Sequence, residues 1–270
     1  MFKINLKPIF IEARDLPDAW FQCIYNIFDY GEEYKIDRGS YKGQKRLEFD
    51  YATIHIKYPN VRPLAPDIPP ALGLPPPTDE QTIENYFVNY IMSGFKQPNE
   101  DYTYTERLKN PVFRFKKETI EKVLGYELKK LKKTKKHKED SKHSKGYDLE
   151  IATNIDLIEE VIGMYKDEGF GTNQATMEIA MPTDIILNDH PCLRSIDTRI
   201  RYGKLHFIAY FRSWDLWGGL PVNLGGLQLL KEYMAAEIGV EDGDLIASSK
   251  GLHLYDDVWE LAKLRAYKQE

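Results

Sequence analysis

A chain of 270 residues is long enough to bury a substantial core and to form one large domain or two small ones. Hydrophobic residues make up 42% of it and aromatic residues 13%, which excludes an intrinsically disordered protein. No run of about 18 apolar residues occurs, so no membrane span is expected, and the charged N-terminus does not resemble a signal peptide. Two cysteines, Cys23 and Cys192, are too few for a disulfide framework, which favours a reducing, cytoplasmic setting.

The net charge of −5 is unevenly distributed along the chain. The segment Lys129–Lys145 holds nine lysines against Glu139 and Asp140, a local charge of +7, which leaves −12 on the rest. An acidic body of this kind argues against a nucleic-acid-binding protein, because such proteins present a broad basic surface. We predict that residues 129–146 form an exposed insert in a single domain spanning 1–270; a contact with phosphate or RNA through these lysines stays open.

The first half of the chain alternates helical and extended patterns. Apolar residues at helical spacing predict a first helix over Asp18–Tyr30, and Gly31 ends it. A strand is predicted over Lys45–Ile56, followed by a proline-rich stretch that cannot form a regular helix. The run Thr78-Asp79-Glu80 opens a second helix.

A third helix is predicted to begin near Lys117 and to extend into the lysine-rich segment. Further elements are predicted in the second half of the chain. The predicted elements are a helix near Ile155–Asp167, a strand at Ala175–Met181, a hairpin of Leu193–Arg201 and Leu205–Arg212, a helix over Leu224–Ile238, a turn at Glu241–Asp244, a strand at Leu245–Ser249 and a last helix from about Asp256. No internal repeat is visible. Together these elements predict an α+β fold in which a mixed sheet is covered by helices.

Cys192 is the first candidate for chemistry. It follows Pro191 where a loop gives way to a strand, so its thiol can be exposed. A cationic side chain such as Arg194 or Arg212 would lower the pKa of that thiol and favour the nucleophilic thiolate. Taken alone, the spacing favours a buried structural cysteine over a nucleophile, and a structural role is also what we expect for Cys23 on the apolar face of the first helix.

The segments downstream of Cys192 contain three further motifs. Arg212-Ser213-Trp214-Asp215 is followed by Gly219-Leu220-Pro221-Val222-Asn223 and later by His253-Leu254-Tyr255, at offsets of 20, 11 and 30 residues. Pro-Cys, Arg-Ser-x-Asp, Gly-x-Pro-x-Asn and His-x-Tyr in this register closely resemble the thymidylate synthase family. The resemblance covers about Ala175–Tyr255.

The front of the chain carries weaker parts of the same resemblance. Asp37-Arg38-Gly39 is similar to the family's phosphate-binding Asp-Arg-Thr-Gly loop, and Thr103-Tyr104 is similar to its Val-Tyr-Gly. Glu84 is matched to the family's catalytic glutamate.

The resemblance implies methylation of the uracil ring of dUMP. Cys192 would add to C6 and turn C5 into a nucleophile toward a pterin-borne one-carbon unit, without a metal. The implied roles are Arg38, Arg212 and Ser213 at the 5′-phosphate, Asn223 at the base, His253 and Tyr255 at the 3′-hydroxyl, Glu84 and Tyr104 in proton transfer, and Asp215 at the pterin. Each side chain also has a structural alternative: Arg212 and Asp215 as an ion pair, Asn223 as a helix N-cap and Tyr255 as a core aromatic.

Three departures from the family pattern point to its archaeal-type branch. Thr172-Asn173-Gln174 stands where a pair of arginines usually reaches the partner subunit's phosphate, so a homodimer stays an open expectation. Leu193 replaces a histidine, and the sequence ends 15 residues after Tyr255, where the family continues to a tail that covers the folate. For this branch both methylenetetrahydrofolate and a tetrahydromethanopterin derivative remain candidate donors.

Two alternative functions compete with this interpretation. A pyrimidine nucleotide hydroxymethylase would use the same cysteine addition. Relatives of this kind that bind cytosine have an aspartate at the position of Asn223, so Asn223 favours uracil as the base. A catalytically idle nucleotide- or RNA-binding relative is the second alternative, and the retained Cys192 argues against it.

Overall fold

The computed structural model describes residues 5–37, 41–93, 102–115, 149–187 and 190–267. Arg38, the helix predicted near Lys117 and the lysine-rich segment lie outside these ranges. Within them, no helix is both long enough and apolar enough to cross a membrane.

Helices and strands are interspersed along the described chain. The strands are β1 (Pro8–Ala13), β2 (Glu32–Lys35), β3 (Lys45–Glu48), β4 (Tyr51–Ile56), β5 (Val112–Phe115), β6 (Leu149–Ala152), β7 (Thr176–Glu178), β8 (Leu193–Arg201), β9 (Lys204–Phe211), β10 (Trp214–Asp215), β11 (Glu241–Ser249) and β12 (Leu252–Tyr255). The α-helices are α1 (Leu16–Tyr30), α2 (Glu80–Tyr86), α3 (Tyr104–Lys109), α4 (Leu157–Glu168), α5 (Gly219–Ile238) and α6 (Trp259–Ala266). A π-helical segment, Phe87–Met92, extends α2, and short 3-10 turns occupy Pro70–Leu72, Pro182–Ile186 and Asp256–Val258.

The strands form three sheets, the largest of which is mixed. Its order is β1-β4-β11-β9-β8-β7, with β1 parallel to β4, β9 parallel to β11 and the other neighbours antiparallel. A second sheet has the order β10-β12-β3-β2, and β5 pairs with β6. Buried residues alternate along the central strands, so one face of the large sheet packs against helices, mainly α1 and α5. The predicted α+β fold is confirmed.

The core ties the first helix to the second sheet. Asp15 caps α1 by accepting a hydrogen bond from the backbone of Asp18, and Pro17 lies in the first turn. Cys23 is fully buried on the inner face of α1, as predicted. The indole nitrogen of Trp20 donates to the carbonyl oxygen of Trp217, 3.1 Å away, which fixes α1 against the loop after β10.

Four predicted boundaries were wrong. The single strand over Lys45–Ile56 is two strands in different sheets, because Phe49 and Asp50 interrupt it and Phe49 is buried. The turn at Glu241–Asp244 is the start of β11, with a register shift between Asp242 and Leu245. Helix α5 begins five residues before Leu224, and the strand predicted over Ala175–Met181 is limited to Thr176–Glu178. The last helix does open at Asp256, with a 3-10 turn that continues into α6 at Trp259.

Candidate active site

Cys192 lies immediately before β8, where the predicted loop gives way to the strand. Its side chain is half-buried, whereas Cys23 is fully buried. Burial raises the pKa of the Cys23 thiol, which disfavours its thiolate form. The hydroxyl oxygen of Tyr104 accepts a hydrogen bond from the backbone nitrogen of Leu193, 3.2 Å away. Tyr104, at the start of α3, is therefore adjacent to the cysteine in space although 88 residues separate them in sequence.

Buried charges hold the loop that carries the cysteine. Arg107 and Asp184 are each 2% exposed and their side chains are 2.7 Å apart. Asp184 also pairs with Arg194 at 3.1 Å, and the same Arg194 nitrogen donates to the carbonyl oxygen of Pro191. A buried pair of this kind is costly to break, because removing one partner leaves an uncompensated charge. The network therefore fixes the backbone that precedes Cys192.

Arg212 reaches the same loop from the end of β9. Its backbone nitrogen donates to the carbonyl oxygen of Cys192 at 2.8 Å. Its guanidinium donates to the carbonyl oxygens of Pro191, at 3.2 Å, and His190, at 2.5 Å. The Arg-Ser-x-Asp motif thus begins directly beside the cysteine loop, with Ser213 half-buried next to it.

Asp215 caps helix α5. Its Oδ1 accepts from the backbone nitrogen of Trp217 at 3.2 Å, and its Oδ2 accepts from Gly218 at 3.0 Å and Gly219 at 2.8 Å. A Cβ atom on Gly219 would lie 3.1 Å from the Cβ atom of Asp215, so glycine permits this close turn. The carboxylate accepts from the first amide of the helix, at Gly219, and from the two residues before it. Asn223 is therefore inside α5, which begins at Gly219. The alternative of Asn223 as the N-cap is therefore wrong.

Asn223 is held by two aromatic side chains. The indole nitrogen of Trp214 donates to its Oδ1 at 3.0 Å, and its Nδ2 donates to the hydroxyl oxygen of Tyr86 at 2.9 Å. Burial raises the pKa of Tyr86 well above its usual value, and nearby Tyr104 and Cys192 raise it further. Asn223, Tyr86, Tyr104 and Cys192 are thus neighbours in one site.

Two glycines of α5 make room for the Tyr86 ring in the site. A Cβ atom on Gly226 would lie 2.5 Å from a ring carbon of Tyr86, and one on Gly225 would lie 2.6 Å from Ile83. Only glycine at these positions lets α2 pack so closely on α5. Tyr86 also stacks on Tyr90, with ring centroids 5.6 Å apart. Its position at the end of α2, where the π-helical segment begins, is a common setting for site residues.

His253 and Tyr255 lie on β12, which pairs in parallel with β10 so that His253 is opposite Asp215. The Nδ1 atom of His253 is 2.8 Å from the carbonyl oxygen of Gly251, which can only accept, so Nδ1 carries the proton. Burial lowers the pKa of His253. Its Nε2 atom is buried and has no hydrogen-bond partner within the described residues, so this histidine offers an unused acceptor.

Tyr255 completes this side of the site. Its ring packs edge-on against His253, with centroids 4.6 Å apart, and stacks on Tyr41 at 4.5 Å. Burial raises its pKa to about 12, and the charges of Tyr41, Asp215 and Cys192 act in the same direction. The phenol is therefore a neutral hydrogen-bond donor at neutral pH, and it is half-buried rather than part of the core.

Comparison with known proteins places the chain in a family. The family model for thymidylate synthase matches residues 97–270. The chain belongs to the thymidylate synthase family. A protein of Methanosarcina acetivorans named "Putative thymidylate synthase" is 27% identical over 253 residues, 94% of this chain and 92% of that protein. One with the same name from Methanopyrus kandleri is 22% identical over 258 residues, 93% and 95% of the two chains.

A solved structure agrees on the fold. The thermostable thymidylate synthase A of Bacillus subtilis superposes with a TM-score of 0.58 at 14% identity, covering 95% of this chain and 85% of that one. The archaeal relatives confirm the resemblance inferred from the sequence motifs. This thymidylate synthase family member contains no cluster of potential metal ligands in the part of the chain that the structure describes.

The structure brings most of the sequence-predicted residues of this thymidylate synthase family member together. Glu84 differs: it is exposed on α2, whereas Tyr86, two residues later, faces Asn223. Sequence reasoning missed Tyr86 and Trp214. The aromatic residue within Arg-Ser-x-Asp was a local signal for Trp214. The position of Tyr86 depends on Gly225 and Gly226, about 140 residues away, and had no such signal.

Proposed function

We propose that this member of the thymidylate synthase family converts dUMP to dTMP. The observation that carries the proposal is the common location of Cys192, an oriented amide at Asn223 and an unused acceptor at His253. These three groups come from the start of β8, from α5 and from β12. They match, respectively, a nucleophile, a reader of the base edge and a partner for a sugar hydroxyl.

Cys192 supplies the nucleophile in this proposal. Uracil resists reaction at C5 because that carbon is a poor nucleophile. When the thiolate sulfur bonds to C6, the electron pair of the C5–C6 double bond moves toward C4 and its oxygen, and C5 becomes nucleophilic. After C5 has bonded to the one-carbon unit, loss of the C5 proton supplies the electron pair that releases this unit from its carrier as an exocyclic methylene. Reduction of that methylene to a methyl group then returns an electron pair through C5, which expels the thiolate from C6. Arg212 supports this chemistry by holding the carbonyl groups of the cysteine loop.

Asn223 reads the base and β12 reads the sugar. The amide retains one N–H and one lone pair beyond its bonds to Tyr86 and Trp214, which suit the O4 and N3–H atoms of uracil. Nε2 of His253 would accept a hydrogen bond from the 3′-hydroxyl, and the Tyr255 hydroxyl would complete the contact. Arg212 and Ser213 would bind the 5′-phosphate together with Arg38, which lies outside the described residues.

The pterin side of the site is assigned to Asp215. Its Oδ1 accepts a single hydrogen bond, from the backbone nitrogen of Trp217, so a lone pair remains for an N–H group of a reduced pterin. When bound, the pterin supplies the one-carbon unit at the methylene level and the reducing equivalent that makes it a methyl group. Tyr104 is the described residue best placed for proton transfer near the cysteine, and the part expected of Glu84 remains a proposal.

Product analysis tests the proposal. Purified protein is incubated with dUMP and either methylenetetrahydrofolate or methylene-tetrahydromethanopterin, and the nucleotides are identified by mass spectrometry. We expect dTMP, formed faster with the methanopterin donor. Equal or faster turnover with the folate would refute the donor preference, and 5-hydroxymethyl-dUMP as the main product would refute methylation. Binding of dUMP without turnover with either donor would support an idle binding protein.

The active form is proposed to be a cytoplasmic homodimer. The face of the large sheet turned away from the helices exposes Phe10 (64%) and Ile208 (39%) and carries both charge signs on β8, beside the edge strand β7, as Asp197 and Arg199. A self-complementary patch of this kind suits a two-fold interface. Light scattering should give a dimer mass that Ile208→Glu reduces, while Tyr202→Glu, at a hairpin turn that is 94% exposed, leaves it unchanged.

A further inference from the structure

Hydrogen bonds to Trp214 and Tyr86 fix the orientation of the Asn223 amide. An indole N–H can only donate, so the atom of Asn223 that lies 3.0 Å from Trp214 Nε1 must be the amide oxygen. An amide NH2 group can only donate, so the Tyr86 oxygen, 2.9 Å from Nδ2, must accept. Both assignments agree, and the amide has one orientation.

The two partners do not constrain the amide equally. A phenol can accept from Nδ2 or, after rotation about its C–O bond, donate to an amide oxygen, so Tyr86 satisfies either orientation of Asn223. Trp214 satisfies only one. If the amide turned over, two donors would face each other at 3.0 Å, and both would lose a hydrogen bond in a buried setting.

Trp214 is itself held rigidly. Its side chain is 2% exposed, and its ring stacks on Phe211 with centroids 3.9 Å apart and planes within 5°. Its backbone nitrogen donates to the carbonyl oxygen of Gly251 at 2.8 Å. The indole N–H therefore points at Asn223 from a fixed platform.

We infer that Trp214 is a specificity-determining positioning residue, which selects uracil over cytosine by locking the Asn223 amide. The inference rests on the proposed function for the identity of the base. Uracil presents an acceptor at O4 and a donor at N3, whereas cytosine presents a donor at N4 and an acceptor at N3. The locked amide complements the first pattern, and only the reversed amide complements the second.

Equilibrium binding of dUMP and dCMP, measured by calorimetry without any pterin, tests the inference. In Trp214→Phe the ring that stacks on Phe211 is retained and the N–H is lost, so the amide can turn over. We expect the preference for dUMP over dCMP to fall about tenfold or more, the size of one buried polar mismatch. Tyr86→Phe is the matched variant: it should weaken both nucleotides by similar factors and leave their ratio unchanged.

A second replacement guards against misfolding of the phenylalanine variant. Site-specific replacement of Trp214 by 3-benzothienylalanine keeps the bicyclic shape and substitutes sulfur for the N–H, and it should lower the same ratio. A ratio within twofold of wild type in both Trp214 variants would overturn the inference, as would an equal loss of ratio in Tyr86→Phe. Loss of the ratio in a protein that makes no dTMP would refute the proposed reaction and leave the lock standing. A wild-type protein without preference for dUMP would overturn both.

Discussion

The hydroxyl oxygen of Tyr104 lies 3.2 Å from the backbone nitrogen of Leu193, the residue that follows Cys192. The contact joins the start of α3 to the start of β8, and it places a phenol at the residue next to the cysteine. Tyr104 is therefore able to act on the reaction at Cys192 and to hold its backbone.

Replacing Tyr104 by phenylalanine should separate these roles. If the hydroxyl takes part in proton transfer, turnover should fall by roughly 100-fold, while the dissociation constant for dUMP changes little. Tyr102→Phe, at a ring 6.0 Å from that of Tyr104, is the neighbouring control. A variant that loses dUMP affinity but keeps its turnover number would instead assign Tyr104 to binding.

Cys192 should form a covalent complex with 5-fluoro-dUMP in the presence of the correct donor. Fluorine blocks the loss of a proton from C5, so the adduct accumulates and peptide mass spectrometry can locate it. Cys192→Ser should abolish both the adduct and turnover, whereas Cys23→Ala should retain them, because Cys23 is buried in α1. An adduct on Cys23, or full activity in Cys192→Ser, would contradict the assignment.

Asn223→Asp should move the preference toward dCMP. The carboxylate can still accept from Trp214, and its second oxygen can accept from Tyr86 in place of Nδ2, so the fold is expected to persist. A protonated aspartate can pair with cytosine N3, while uracil loses the amide donor at a cost of about 1–3 kcal/mol. Competition between the two nucleotides measures the change, and Asn85→Asp, exposed on α2, is the control. An unchanged preference would count against Asn223 as the base reader.

The affinity for dUMP should fall in mildly acidic solution through His253. Burial places the pKa of this histidine below its ordinary value of about 6.5. The neutral form, with Nε2 as acceptor, is therefore complete above that value, and affinity is lost as the pH falls through the depressed pKa. The dideoxy analogue of dUMP lacks the 3′-hydroxyl but keeps the titrating phosphate. The difference in affinity between the two ligands should therefore shrink with falling pH; a constant difference would exclude the His253 contact.

The lysine-rich segment should be dispensable for chemistry. It lies outside the described residues, so its exposure stays a prediction. Replacing Lys129–Lys145 with a short Gly/Ser linker should leave kcat and KM nearly unchanged at about 0.15 M salt. A rise in KM for dUMP that grows as salt is lowered would instead indicate that the lysines steer the anionic substrate.

Local patterns were sufficient to predict the elements that carry single motifs. The alternation in Leu205–Phe211 predicted β9, and Pro191 before an apolar strand placed Cys192 at its start. Long-range geometry escaped prediction. The early start of α5 depends on the hydrogen bond from Gly219 to Asp215. The acidic segment predicted as a turn is instead the first part of β11, with a register shift between Asp242 and Leu245 that the sequence pattern does not indicate.

The same distinction between local and long-range signals applies to the candidate site. Cys192, Asn223 and His253 could be placed by motif and spacing, because each motif is contiguous in sequence. The Tyr86 contact could not, since it arises where two helices meet at Gly225 and Gly226. Glu84 and Tyr86 differ by two positions on one helix, and only the packing of that helix decides which of them faces the site.

The two-residue strand β10 makes the number of residues between Arg212 and Gly219 as important for the site as their identity. Trp214 and Asp215 point to opposite faces of the strand, one toward Asn223 and the other toward the amides that open α5. An insertion of one residue between Arg212 and Trp214 would turn the indole toward the helix end, and a deletion there would turn the carboxylate toward Asn223. Among homologues that keep these two contacts, the spacing from the arginine to the first glycine of the helix should therefore stay invariant, and a gap at this point of an alignment would indicate a protein that has lost one of the contacts.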